Sequence, residues 1–237
     1  MNATIQNYGC DKLNFKSISK VRFDFICNYL NSQRITYLTL SDDWKTPGQI
    51  QTFCSRFNLA DFVNLHSLAL LSVLDEDIQP ILSDLSQLEH LESLTIIYRS
   101  STTLSLGPIL NRLTSLRSLS VSHGDIFDHN VPLPLHNIKL LDAGKCRFLE
   151  LRRLQYIVPS LSSLKIYLQA SHQLQLLSSR CFWSSLERLD LTLNRKNFLF
   201  IYDIRQNNRD PFYKTDQCRS IRSFALFAFL SLVFRHP

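Results

Sequence analysis

Leu91-Glu92-Ser93-Leu94-Thr95-Ile96 sets the reading of this chain. Its apolar residues stand at the first, fourth and sixth places. The last two are two apart, and on an extended strand residues two apart share one face while those between them face the other way. Working outward, the same spacing returns upstream at Leu65, Leu68, Leu70 and at Ile35, Leu38, Leu40. Downstream it returns at Leu116, Leu119, Val121; Ile138, Leu141, Ala143; Leu161, Leu164, Ile166; and Leu186, Leu189, Leu191. Successive copies lie 22 to 30 residues apart, and a weaker copy, Cys10, Leu13, Phe15, precedes them. A unit of this length cannot bury its apolar face alone. Self-similarity at such a period therefore predicts units stacked side by side around one continuous core.

Between the strand signals the apolar spacing changes to three and four: Ile50, Phe53, Cys54, Phe57; Ile78, Ile81, Leu82, Leu85, Leu88; and Leu149, Leu151, Leu154, Ile157. That is helical periodicity. Thr46-Pro47 and Asp75-Glu76-Asp77 read as helix starts, since a short polar side chain accepts free backbone N–H groups and Pro fits the first turn. The strand-then-helix unit resembles the leucine-rich repeat. The fold class expected is α/β: a leucine-rich-repeat solenoid with a curved parallel β-sheet on the concave side and short helices and loops on the convex side. Residues 1–194 are expected to form an array of about eight repeats, and 195–237 a closing segment. In that segment Phe198-Leu199-Phe200-Ile201-Tyr202 reads as a strand and Arg205 to Gln217 as a basic loop. The apolar run Phe224 to Phe234, eleven residues long, falls well short of the roughly 20 needed to cross a bilayer and reads as an end cap. His123 to Asn137, with two prolines and no helical period, reads as an irregular loop.

The formal net charge of +6 does not sit on the array, since residues 1–194 carry 18 basic and 17 acidic side chains and 195–237 carry 8 and 3. A near-neutral array offers no general field for nucleic acid, so that partner class is disfavoured. The basic closing segment, interleaved with Tyr202, Phe212 and Tyr213, is the place where phosphate contact and base stacking would arise, and it reads more simply as a solvated loop. The six cysteines stand singly without a Cys-x-x-Cys pair, and Cys10, Cys54 and Cys146 fall at core positions. This predicts packing thiols in a reducing compartment. Met1 to Lys16 shows no basic stretch followed by an apolar run, so the expected localisation is cytoplasmic or nuclear, with no membrane partner.

No nucleophile elbow, Gly-rich phosphate loop or His-Glu-x-x-His motif occurs, and five glycines leave little to build such turns. The chain reads as a non-enzyme, with no catalytic residue, cofactor or metal site expected. His123, Asp125, Asp128, His129 and His136 collect in one stretch, but their spacing matches no metal template. What the chain offers instead is a surface, formed by the strand residues that alternate with the apolar anchors. Its middle is small and hydroxylated (Ser67, Ser93, Thr95, Ser118, Ser120), and its ends carry aromatics and charge. Tyr37 and Thr39 at one end, and Asp142, Lys165, Tyr167, Arg188 and Asp190 at the other, are the candidate partner-binding residues, because Tyr and Arg dominate binding hot spots.

The stretch from Lys12-Leu-Asn-Phe-Lys-Ser-Ile-Ser-Lys20 through Leu38-Thr-Leu-Ser-Asp-Asp-Trp-Lys-Thr-Pro-Gly-Gln-Ile-Gln-Thr-Phe53, with the irregular repeats after it, resembles the repeat half of F-box/leucine-rich-repeat proteins. The likeness covers roughly residues 8 to 215. It implies an intracellular adaptor whose repeats hold a protein substrate for a cullin ubiquitin ligase. The F-box that binds Skp1 in that family opens with a Leu-Pro-x-Glu-like motif that this chain lacks, so Skp1 and cullin are implied only with an F-box upstream. No Skp1-binding residue carries over. The function expected is protein–protein interaction. The alternatives are a repeat protein of the GTPase-activator or enzyme-inhibitor type, or a weak binder of nucleic acid or acidic surfaces through the basic closing segment.

Overall fold

The computed structural model describes residues 11–99, 106–122, 134–146, 154, 156–168, 185–193 and 198–203. Among them one open sheet runs in chain order: β1 (Lys12–Asn14), β2 (Tyr37–Ser41), β3 (Ser67–Val73), β4 (Ser93–Tyr98), β5 (Ser118–Val121), β6 (Leu140–Cys146), β7 (Ser163–Leu168), β8 (Arg188–Leu193) and β9 (Phe198–Asp203). β1 to β8 pair in parallel, each with the next. β9 turns back and pairs antiparallel with β8. The class is thus α/β with successive units side by side in a solenoid-like arrangement.

The register follows the sequence anchors. Leu13, Leu38, Leu68, Leu94, Leu119, Leu141, Leu164 and Leu189 stand opposite one another from β1 to β8. A one-residue slip would turn that row out to solvent, so burial of the row fixes the pairing. The strand starts are pinned as well, because the carbonyl just before each strand accepts two N–H groups from the next unit. Thr36 O accepts from His66 and Ser67 at 2.8 and 3.0 Å, and Glu92 O accepts from Arg117 and Ser118 at 2.8 and 2.9 Å. A further anchor that the sequence reading missed lies three residues ahead of the first: Phe62, Leu88, Leu113, Leu135 and Val158 are all buried. In three units it closes the turn into the strand, as where Leu65 N–H donates to Phe62 O at 2.9 Å.

The helices cover the apolar face of the sheet and leave the other open, as the alternation of buried and half-buried residues along β4 and β5 shows. α2 (Gln49–Arg56) and α3 (Asp75–Leu85) put Ile50, Phe53, Ile78, Ile81, Leu82 and Leu85 into the core. α1 (Lys20–Asn28) was not expected. It buries Phe23 and Cys27 and turns Val21, Phe25 and Tyr29 outward, so apolar residues occupy both its faces and no one-sided stripe marks it in the sequence. Phe15, Phe23 and Phe53 pack with ring centroids 5.0 to 6.5 Å apart and tie α1 and α2 to the sheet. α4 (Gly107–Leu110) is a single turn.

Of the two helix starts read from the sequence, Asp75 holds and Thr46 needs correction. Thr46 does not cap α2. Its hydroxyl donates to Ser41 O at 2.6 Å, and the helix opens after Gly48, which takes φ +70°. The N-terminal donor Ile50 N–H goes to Asp42 Oδ1 at 2.8 Å, so a carboxylate from the end of β2 serves the helix. At α3 the N-cap is Leu74, which offers no side-chain acceptor, and Asp75 is the first helical residue. Of the helix expected over 149–157, only Leu154, Tyr156 and Ile157 are described, and they are helical. Residues 123–133 of the expected loop and the whole of 205–237 lie outside the described residues.

Two bulges interrupt the ladder. The register shifts at Ser72, φ +58°, between β3 and β4, and at Gly144, φ +55°, between β6 and β7. At Gly144 only hydrogen fits, because a Cβ would overlap the Ser122 carbonyl.

Candidate functional site

The open face is built from three rows of outward residues on parallel strands. Pairing places Asp142, Lys165 and Asp190 directly opposite one another on β6, β7 and β8, with Leu140, Ser163 and Arg188 forming the row beside them. Lys165 Nζ lies 2.7 Å from Asp142 Oδ2. Arg188 grips Asp190 along its own strand, Nε donating to Oδ1 at 3.1 Å and Nη2 to Oδ2 at 3.0 Å. Four of the seven expected site residues are therefore brought together, and their charges cancel.

Their roles differ. Asp190 is only 8% exposed, so it acts as the acceptor that orients the exposed Arg188 guanidinium rather than as a surface contact. Lys165 remains exposed while paired, and such a pair contributes little to stability, about 0–1 kcal/mol. Tyr167 stands one row further along β7, opposite Lys145 and Thr192. Leu140, 47% exposed in the row with Arg188, is an apolar contact that the sequence reading passed over. Its outward position was legible, but only the lack of cover in the folded sheet sets it apart from a packing leucine.

Tyr37 and Thr39 lie on β2, at the other end. Tyr37 is 43% exposed, and Lys12 Nζ sits 4.4 Å from its ring centroid, a cation–π contact that presets the ring for binding. Thr39 is half-buried between Asn14 and Ala69. β2 and β6 are four strand spacings apart, roughly 20 Å, and β8 lies two further, roughly 30 Å from β2. The structure therefore does not gather the seven residues into one pocket. Ser41, which follows Tyr37 and Thr39 in the outward alternation of β2, is fully buried. The turn after β2 folds over it, with Ser41 N–H donating to Gln49 Oε1 and Gln49 Nε2 donating to Phe15 O, both at 3.1 Å.

Just beyond Ser41, burial would raise the carboxyl of Asp43, but hydrogen bonds from Lys45 N–H and from the Thr46 and Ser17 hydroxyls outweigh it and hold the pKa below the ordinary range. Burial pushes the Cys27 thiol up to about 11, against the trend needed for a reactive thiolate. Among the described residues no cluster of three or more His, Cys, Asp or Glu is placed to hold a metal, and no helix is long and apolar enough to cross a membrane. No protein-family model matches this chain, and no curated protein matches it in sequence.

Proposed function

We propose that this chain is a leucine-rich-repeat solenoid acting as a non-enzymatic protein–protein interaction module, the substrate-recognition part of an F-box-type ubiquitin ligase adaptor. The observation that supports it is the open sheet face with two separate groups of contact residues: Tyr37 held by Lys12, and the row Leu140, Ser163, Arg188 with Lys165 in the row next to it. A distance of roughly 20–30 Å between them exceeds any small ligand and matches a protein surface of ordinary interface size. The register-locked sheet also keeps the two groups at fixed separation, which lowers the ordering cost of binding. The resemblance of Lys12 to Phe53 to the segment after an F-box supports the ligase assignment.

The test is quantitative affinity capture from cell extract with the wild-type chain and with Tyr37→Ala and Leu140→Asp, alongside a form extended upstream where transcripts encode one. Both side chains are exposed, so the variants are expected to melt as wild type does while losing the same partner. Unchanged partner recovery with both variants would overturn the face assignment. Recovery of Skp1 and cullin with the extended form is the expected result for a ligase adaptor, and their absence from it rejects that assignment.

A further inference from the structure

The residue just ahead of each strand lies on the rim where the strands begin, off the sheet face. Over four adjacent units this row reads Glu92, Arg117, Lys139, Ser162. Arg117 and Lys139 are 22 residues apart in sequence. Stacking makes them neighbours, with Lys139 and Leu140 N–H donating to Arg117 O at 2.8 and 3.0 Å. Both are exposed, and none of the ion pairs among the described residues includes either. Arg117 thus stands between Glu92 and Lys139, and the row keeps one positive charge in excess that an anion would meet.

The two cations border an open polar groove of about 440 Å³, which Glu92, Thr114, Ser115 and His136 complete. The turns that form it are fastened together, since Asn137 Nδ2 donates to Thr114 O at 2.6 Å. One carboxylate stands against two permanent cations, so the groove stays positive although the array as a whole is near neutral.

We infer that this groove is a binding site for a phosphomonoester dianion. Two adjacent positive charges against the single carboxylate of Glu92 attract a charge of about −2 near neutral pH. The Arg117 fork suits two phosphate oxygens at once, the Lys139 ammonium a third, and the Thr114 and Ser115 hydroxyls and the His136 ring add donors. That donor set exceeds what a single carboxylate accepts. Glu92 at one wall disfavours a continuous polyanion, which separates this site from a nucleic-acid track. The open side leaves room for the carrier of the phosphate, either a phosphorylated side chain or a small organic molecule. The site lies on the rim, so it is independent of the sheet-face contacts proposed above.

The test is calorimetric titration of the full chain at constant ionic strength with inorganic phosphate, and with a short phosphoserine peptide beside its unphosphorylated form. Saturable binding is expected for the phosphorylated probes alone. Arg117→Gln and Lys139→Gln are each expected to weaken it roughly tenfold. Glu92→Gln is expected to tighten it, a gain that a merely structural role for the rim would not give. Lys45→Gln, in the turn before α2, is expected to change nothing. A peptide tighter than free phosphate assigns a protein-borne group, and equal affinity assigns a small phosphate. No saturable binding with either probe, or loss of equal size with Lys45→Gln, would overturn the inference.

Discussion

Replacing Gly144 by Ala tests the packing between the fifth and sixth units. Gly144 sits in β6 at φ +55°, and an added Cβ would overlap the Ser122 carbonyl, which is also the acceptor for Lys145 N–H at 3.0 Å. The left-handed backbone alone costs an L-residue about 1–2 kcal/mol, and the stiffer unfolded chain offsets about 0.4–1 kcal/mol of it. Forcing the carbonyl away adds about 1–3 kcal/mol for overpacking. The total is about 1–5 kcal/mol, a large share of the ~5–15 kcal/mol that ordinary domains possess. Gly48 is the internal control, since it has φ +70° with nothing within 4 Å of its would-be Cβ, so Gly48→Ala should cost only about 0–1.5 kcal/mol. Urea melts followed by circular dichroism should show a midpoint lowered by about 1 M or more for Gly144→Ala. Hydrogen exchange at the Lys145 amide should quicken in the same variant. If the two variants are destabilised equally, the close approach at Ser122 plays no part and the reasoning fails.

Gln49→Leu should cost about 2–4 kcal/mol in the same melts, because it leaves Ser41 N–H and Phe15 O buried without their partners; a cost below about 1 kcal/mol would contradict the bridge. Arg188→Ala should destabilise by about 1–3 kcal/mol by taking the guanidinium from the buried Asp190 carboxylate. Asp190→Asn in the same chain should recover part of it, whereas strict additivity of the two would show that the pair is not coupled. Cys27 should resist alkylation at pH 8 relative to the half-buried Cys54, read by peptide mass spectrometry. Its folded pKa is raised from 9.0 to about 11, so the folded state favours the thiol. That contribution is complete below pH 9 and is lost as pH rises toward 11, where stability should fall; equal labelling of the two cysteines would contradict the burial.

The strand positions were legible because the apolar spacing within a unit and the period between units both belong to the covalent chain. Even the weak copy at Leu13 pairs in register with Leu38. α1 was not legible, since Val21 and Phe25 lie outward while Phe23 and Cys27 face the core, and with Lys20, Arg22 and Asp24 interspersed no one-sided apolar stripe marks it. The start of α2 was misread because Gly48 at φ +70° opens the helix later, while the Thr46 hydroxyl donates back to the Ser41 carbonyl. Among the candidate site residues the outward positions were right for Tyr37 and Lys165. The burial of Asp190 came from Arg188 closing over it.

The sequence alone determined the α/β class, the order and direction of the strands from β1 to β8, and which strand anchors face the core, because periods of two and about 25 admit one register that buries every anchor. Only the tertiary structure decided which of the outward side chains pair and which are covered. Lys165 reached Asp142, and Arg188 closed on the buried Asp190. Ser41 went under its turn, and Gly144 came against Ser122. Those outcomes depend on the unequal turns between strands and on the two bulges, which shift the register of one unit against the next. Such geometry is set by packing and hydrogen bonding across units, and no local pattern in the chain encodes it.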